Sequence, residues 1–158
     1  MSLPKPLPGL VIRYSYLWAD DATKGSEEGG KERPAAIVMA VDASGANAAR
    51  VYVLPITHSA PAQGTKAMEI PAAVCRAAGL DAARSWVILS EFNEFVWPGM
   101  DLNIVPGRMP RTITYGFLTT GFLQACVTNG SNSMPPASQS ACPVIHINFS
   151  KDFCIEKL

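Results

Sequence analysis

A chain of 158 residues with 48% hydrophobic and 16% charged side chains suits one domain with a single core, and is neither a disordered tail nor a polyelectrolyte. Its formal net charge of zero withholds the broad electrostatic footprint of a duplex-DNA binder, yet allows a small single-strand site lined by local cations. No apolar run approaches the roughly 20 residues of a membrane-spanning helix. The start, M-S-L-P-K-P-L-P, is too proline-rich for a secretion signal, so the expected setting is cytoplasmic, off the membrane, with the four cysteines reduced.

In chain order, residues 9–18 (G-L-V-I-R-Y-S-Y-L-W) mix β-branched and aromatic side chains and predict a strand, interrupted by Arg13. Residues 19–32 are polar and glycine-rich and read as a long mobile loop. A second strand is predicted from 35 to 41 and a third from 50 to 54, ending at Pro55. M-E-I-P-A-A-V-C-R-A-A-G-L reads as a short helix with Pro71 at its first position and Gly79 as its stop. One or two strands follow in S-W-V-I-L-S-E-F-N-E-F-V-W-P-G, and another in R-T-I-T-Y-G-F-L. Short strands, a brief helix and frequent turn signals predict a mainly β fold, a small, strongly curved antiparallel sheet or barrel.

Three stretches could carry chemistry. Arg33-Pro34 sets a guanidinium at the mouth of a strand, where it either faces solvent before a turn or grips a phosphate with its planar fork. Lys24 and Lys31 would add positive charge there, offset by Glu27, Glu28 and Glu32. In V-Y-V-L-P-I-T-H-S, Thr57 has the position of a turn-capping hydroxyl. His58 could move a proton near neutral pH, although a histidine without a recognisable partner is more often a bystander. In S-E-F-N-E-F-V-W-P-G, Asn93 could read a base edge, and Trp18 or Trp97 could stack on a base. With two histidines and no metal-ligand spacing, neither a metal nor another cofactor is expected.

The order of these motifs resembles the PemK/MazF family of toxin–antitoxin ribonucleases. The likeness rests on a strand led by Gly9, a Gly-rich loop, then R-P-A-A-I-V-M-A, then V-Y-V-L-P-I-T-H-S, and spans residues 9–122. S-W-V-I-L-S-E-F-N-E-F-V-W-P-G-M-D-L resembles a divergent branch of that family. The resemblance implies an SH3-like curved barrel, a homodimer, and a cognate antitoxin as partner. It also implies metal-independent cleavage of single-stranded RNA, with Arg33 and Thr57 catalytic and Trp18, Lys24, Lys31, His58 and Asn93 on the substrate side. The alternative is a non-catalytic barrel of the same descent that binds RNA or a protein.

The end of the chain departs from that pattern. Residues 121–150 contain no Asp, Glu, Lys or Arg and no sustained period, so a barrel domain over 1–122 and an atypical, poorly ordered tail over 123–158 are expected. The family usually closes with an amphipathic helix. A reading-frame slip after Phe122 would explain its absence, and the gene's nucleotide sequence tests that.

Overall fold

The computed structural model describes residues 2–25, 30–43 and 48–130. Alternation organises its first ladders. In β1 (Leu10–Tyr16), Leu10, Ile12, Tyr14 and Tyr16 enter one core cluster and Val11 enters another. The long β2 (Lys31–Ala43) runs antiparallel between β1 and β3 (Ala48–Thr57), with Tyr14 opposite Arg33 and Ala35 opposite Pro55. With β4 (Ala67–Glu69), β5 (Trp86–Ile88), β6 (Asn93–Trp97) and β7 (Thr114–Phe117), these strands form a seven-stranded sheet of antiparallel pairs. Its order is β4-β5-β3-β2-β1-β7, and β6 also pairs with β3. The mainly β expectation therefore holds.

The sheet curls. β6 and β1 are separated by two strands in the ladder, yet Tyr14 stacks on Phe95 with ring centroids 4.8 Å apart. Asn93 of β6 also bonds the backbone of Leu17, just beyond β1. Among the described residues no ladder joins the two ends of the strand order, so what is observed is a curled, open sheet.

Two prolines mark where the ladder changes partner. Along β3, the pairing with β6 covers residues 49–53 and the pairing with β5 covers 56–57, so Pro55 falls between them, where no N–H is needed. Pro34 pairs with Arg13 of β1 but lies one residue before the first β2–β3 pair. Neither proline ends its strand, which is why β3 runs on to Thr57 and β2 starts at Lys31 rather than at 35.

Both faces of the sheet are covered. One packs Ala36, Leu54, Ile56 and Val87 against Cys75 and Ala78 of the α2 region and against Phe122, Leu123 and Cys126. The other packs Ile12, Tyr16, Ile37, Val51 and Val53 with Trp97 and Ile113. Besides the short α1 (Ala19–Thr23), the helices are α2 (Ala72–Ala77) and α3 (Thr120–Gly130). Pro71 caps α2 and Gly79 follows it with φ of +70°. A Cβ at Gly79 would meet the Tyr115 carbonyl oxygen at 2.7 Å. Arg108 clasps the same spot, its Nη2 donating to the Gly79 carbonyl at 2.6 Å and its Nη1 to that of Tyr115.

The expected domain boundary needs correction. Position 122/123 lies inside α3, where Leu123 and Cys126 are each 1% exposed. The missing charges at 122–126 reflect a helix side turned into the core, and one turn is too short to register as a sustained period. Burial pushes the Cys126 thiol up to about 12. The loop expected over 19–32 also contains α1, and Lys31 already belongs to β2. Residues 131–158, to which the remaining tail expectation refers, lie outside the described residues, as do 26–29.

Candidate functional site

The strand ends bring the sequence candidates together. Carrying the β2–β3 register two residues past Ala35 and Pro55 brings Arg33 level with Thr57 on one face. Thr57 in turn pairs with Trp86 of β5, and Trp86 with Glu69 of β4, so one row crosses four strands. The next residues along point to the opposite face. Ile56 pairs with Val87, which brings His58 level with Ser85. At the strand ends both rows border a cavity of about 400 Å³ lined by Arg33, Thr57, His58, Arg13, Asp81 and Tyr115, among others.

Arg33 is the one arginine of this region with no carboxylate partner among the described residues. Its guanidinium lies over the Trp18 ring, 4.8 Å from the centroid, and its Nε is buried without a hydrogen-bond acceptor. Burial lowers its pKa from the ordinary arginine value. Burial foremost, then Glu91, pushes the Tyr16 phenol well up, so Tyr16 stays neutral and supplies no counter-charge. A half-buried cation with an unmet donor is costly unless an anion completes it. Thr57 lines the same cavity, its Oγ1 accepting a hydrogen bond from the Ser59 N–H at 3.1 Å.

Arg13 and His58 of the same cavity already face carboxylates. Arg13 Nε donates to Glu32 at 2.9 Å, and that bond is the main reason its pKa is raised. His58 contacts Asp81 through Nε2 at 3.2 Å. Lys31 borders the cavity as an exposed lysine.

Two expected substrate residues lie elsewhere. Lys24 is the exposed residue that closes α1 and does not border the cavity. Asn93 is committed to the fold: its Oδ1 accepts from the Leu17 N–H at 2.9 Å and its Nδ2 donates to the Leu17 carbonyl at 2.8 Å. A base edge would have to compete with both bonds. Trp97, the alternative stacking residue, is 5% exposed within the second core cluster, which leaves Trp18 as the accessible candidate. Arg13, Asp81 and Ser85 were missed as site residues. A charged side chain interrupting an apolar strand was a usable signal for Arg13. Asp81 and Ser85 lie more than 20 residues beyond His58 and meet it only through the β3–β5 register.

Among the described residues no group of three or more His, Cys, Asp or Glu side chains could hold a metal ion, and no helix is long and apolar enough to cross a membrane. Comparison with protein-family models, with curated proteins and with solved structures finds no match to this chain.

Proposed function

We propose that the chain is a metal-independent endoribonuclease of the PemK/MazF type, acting on single-stranded RNA as the toxin of a toxin–antitoxin pair. The observation that carries this reading is the Arg33 guanidinium, held on Trp18 with no carboxylate partner among the described residues and with a buried, unpaired Nε, on the same face as Thr57 by strand alternation. Such a fork fits a phosphate oxygen pair. Attack by the neighbouring 2′-hydroxyl builds negative charge on a five-coordinate phosphorus, and a cation already fixed in place stabilises that charge as it forms. Thr57 adds a hydroxyl donor to the same phosphate. Trp18, partly exposed beside the guanidinium, would contact a base, and Lys31 supplies a flexible positive charge at the rim.

The curl that brings Phe95 onto Tyr14 supports an SH3-like barrel as the finer description of the sheet. A homodimer and an antitoxin partner are part of the same reading. The competing reading, a non-catalytic barrel that binds RNA or protein, draws on the Thr57–Ser59 bond, which is ordinary turn chemistry.

The deciding experiment incubates the purified chain with a single-stranded RNA in excess chelator, beside a DNA strand of the same sequence. The enzyme reading expects cleavage of the RNA alone, leaving 2′,3′-cyclic phosphate ends. Retention of intact RNA on the protein expresses the binding reading. Cleavage of the DNA would refute attack by a 2′-hydroxyl.

A further inference from the structure

We propose that His58 is the general acid of this site, held for that task by Asp81 and Ser85; the inference rests on the ribonuclease reading above. The evidence lies in the ring's partners. His58 Nδ1 is 3.1 Å from the Arg84 carbonyl oxygen and 3.2 Å from Ser85 Oγ. A carbonyl can only accept, so Nδ1 carries a proton. Ser85 Oγ itself donates to the Ala83 carbonyl at 3.2 Å, which leaves its lone pairs toward the ring. The exchangeable proton of the imidazole therefore belongs to Nε2, at the opposite end of the ring, where Asp81 Oδ2 waits at 3.2 Å.

Burial assigns the roles. Ser85 is 1% exposed, so the Asp–His–Ser set makes no serine nucleophile; Ser85 anchors the ring from behind. The side chains of His58 and Asp81 are 53% and 63% exposed, so a phosphodiester can approach the Nε2 end of the ring from solvent while Asp81 orients it. The inner nitrogen is tied to the loop between α2 and β5, and His58, although it points to the face opposite Arg33 and Thr57, lines the same cavity at the strand ends.

In the cleavage step the 2′-oxygen bonds to phosphorus and its proton passes to water. The bond from phosphorus to the 5′-oxygen breaks, and the Nε2 proton moves to that leaving oxygen. Solvent then returns a proton to Nε2, so the cycle closes with a 2′,3′-cyclic phosphate and a 5′-hydroxyl. Arg33 stabilises charge in this scheme, and His58 neutralises the leaving group.

The test uses two substrates for the full chain: an ordinary RNA, and the same RNA with sulfur replacing the 5′-bridging oxygen at the cleaved bond. A thiolate leaves without protonation, so it bypasses a general acid. His58→Gln is expected to cut the ordinary RNA about 10²-fold more slowly or worse, within the usual range for acid catalysis, yet cleave the sulfur substrate at the wild-type rate. Asp81→Asn is expected to show the same selective loss at about 10-fold, which a merely structural role would not produce. Equal slowing of both substrates by His58→Gln, or no slowing of either, overturns the assignment while the ribonuclease reading stands. A wild-type chain that cleaves neither substrate overturns both.

Discussion

Among the described residues two arginines are stacked on tryptophans, and they have opposite circumstances. Arg84 lies over Trp86 at 5.0 Å beside β4 and β5, and Arg33 lies over Trp18 at 4.8 Å at the start of β2. The Arg84 fork is fully used: Nε and Nη2 bond the two oxygens of Glu69 at 2.7 and 3.0 Å. That bond raises the Arg84 pKa and lowers that of Glu69, and both groups face solvent. The Arg33 fork meets no carboxylate among the described residues and is partly withdrawn from water. The same ring–cation pairing thus finishes one corner of the fold and leaves the other incomplete. A stacked arginine alone says little; the missing acceptor is the informative part.

Substitutions can break or sharpen this contrast. The largest effect is expected from Arg33→Lys, which keeps the charge and loses the planar fork. RNA cleavage should fall about 10²-fold, in line with losing a preorganised donor to the transition state, whereas Arg84→Lys should leave the rate unchanged. Steady-state rates on one RNA check both. Thr57→Val keeps the β-branched shape and removes the hydroxyl. A loss of about 10-fold, or 1.4 kcal/mol, is expected in kcat/KM, consistent with one lost hydrogen bond.

Stability should answer in the opposite sense. Replacing a half-buried, unpaired charge by an apolar side chain of similar length is commonly neutral or favourable. Arg33→Met should therefore unfold in urea at the wild-type midpoint or above it, by up to about 1 kcal/mol. A lower midpoint would mean that Arg33 is a structural residue. The smallest effect concerns Glu69. Arg84 holds its carboxyl below the ordinary value of 4.5, so the pair's contribution is present above that pH and is lost as pH falls through the lowered value. Glu69→Gln should flatten the acid limb of stability against pH only slightly, because exposed pairs contribute little.

How much of this was legible depends on the range of each signal. The β-branched and aromatic run in residues 10–16 and the continuous apolar run in 35–41 are local signals, and strands lie where they suggest. The helix punctuated by Pro71 and Gly79 was equally readable, since both residues act through their own backbone. β4 was masked, because Ala67–Glu69 is too short for a period and adjoins the helix start. Leu123 and Cys126 were misjudged, because an uncharged stretch resembles a loose tail until a core is found for it to face. Arg33 and Thr57 were legible as candidates through the resemblance carried by R-P-A-A-I-V-M-A and V-Y-V-L-P-I-T-H-S, whereas the register that brings their strands together is known only from the fold. The roles of Asn93, Asp81 and Ser85 were not: each is decided by a contact across the curl or the β3–β5 ladder, which no local pattern encodes.

The central claim, that Arg33, with no carboxylate partner among the described residues, serves to bind a phosphate, is tested most directly by three proteins and one RNA. Wild type, Arg33→Ala and Arg84→Ala are incubated with the same single-stranded RNA in chelator, and initial cleavage rates are compared. The account predicts that Arg84→Ala cleaves at the wild-type rate and that Arg33→Ala is slower by about 10³-fold. Equal rates for wild type and Arg33→Ala, or equal losses in the two variants, would contradict it.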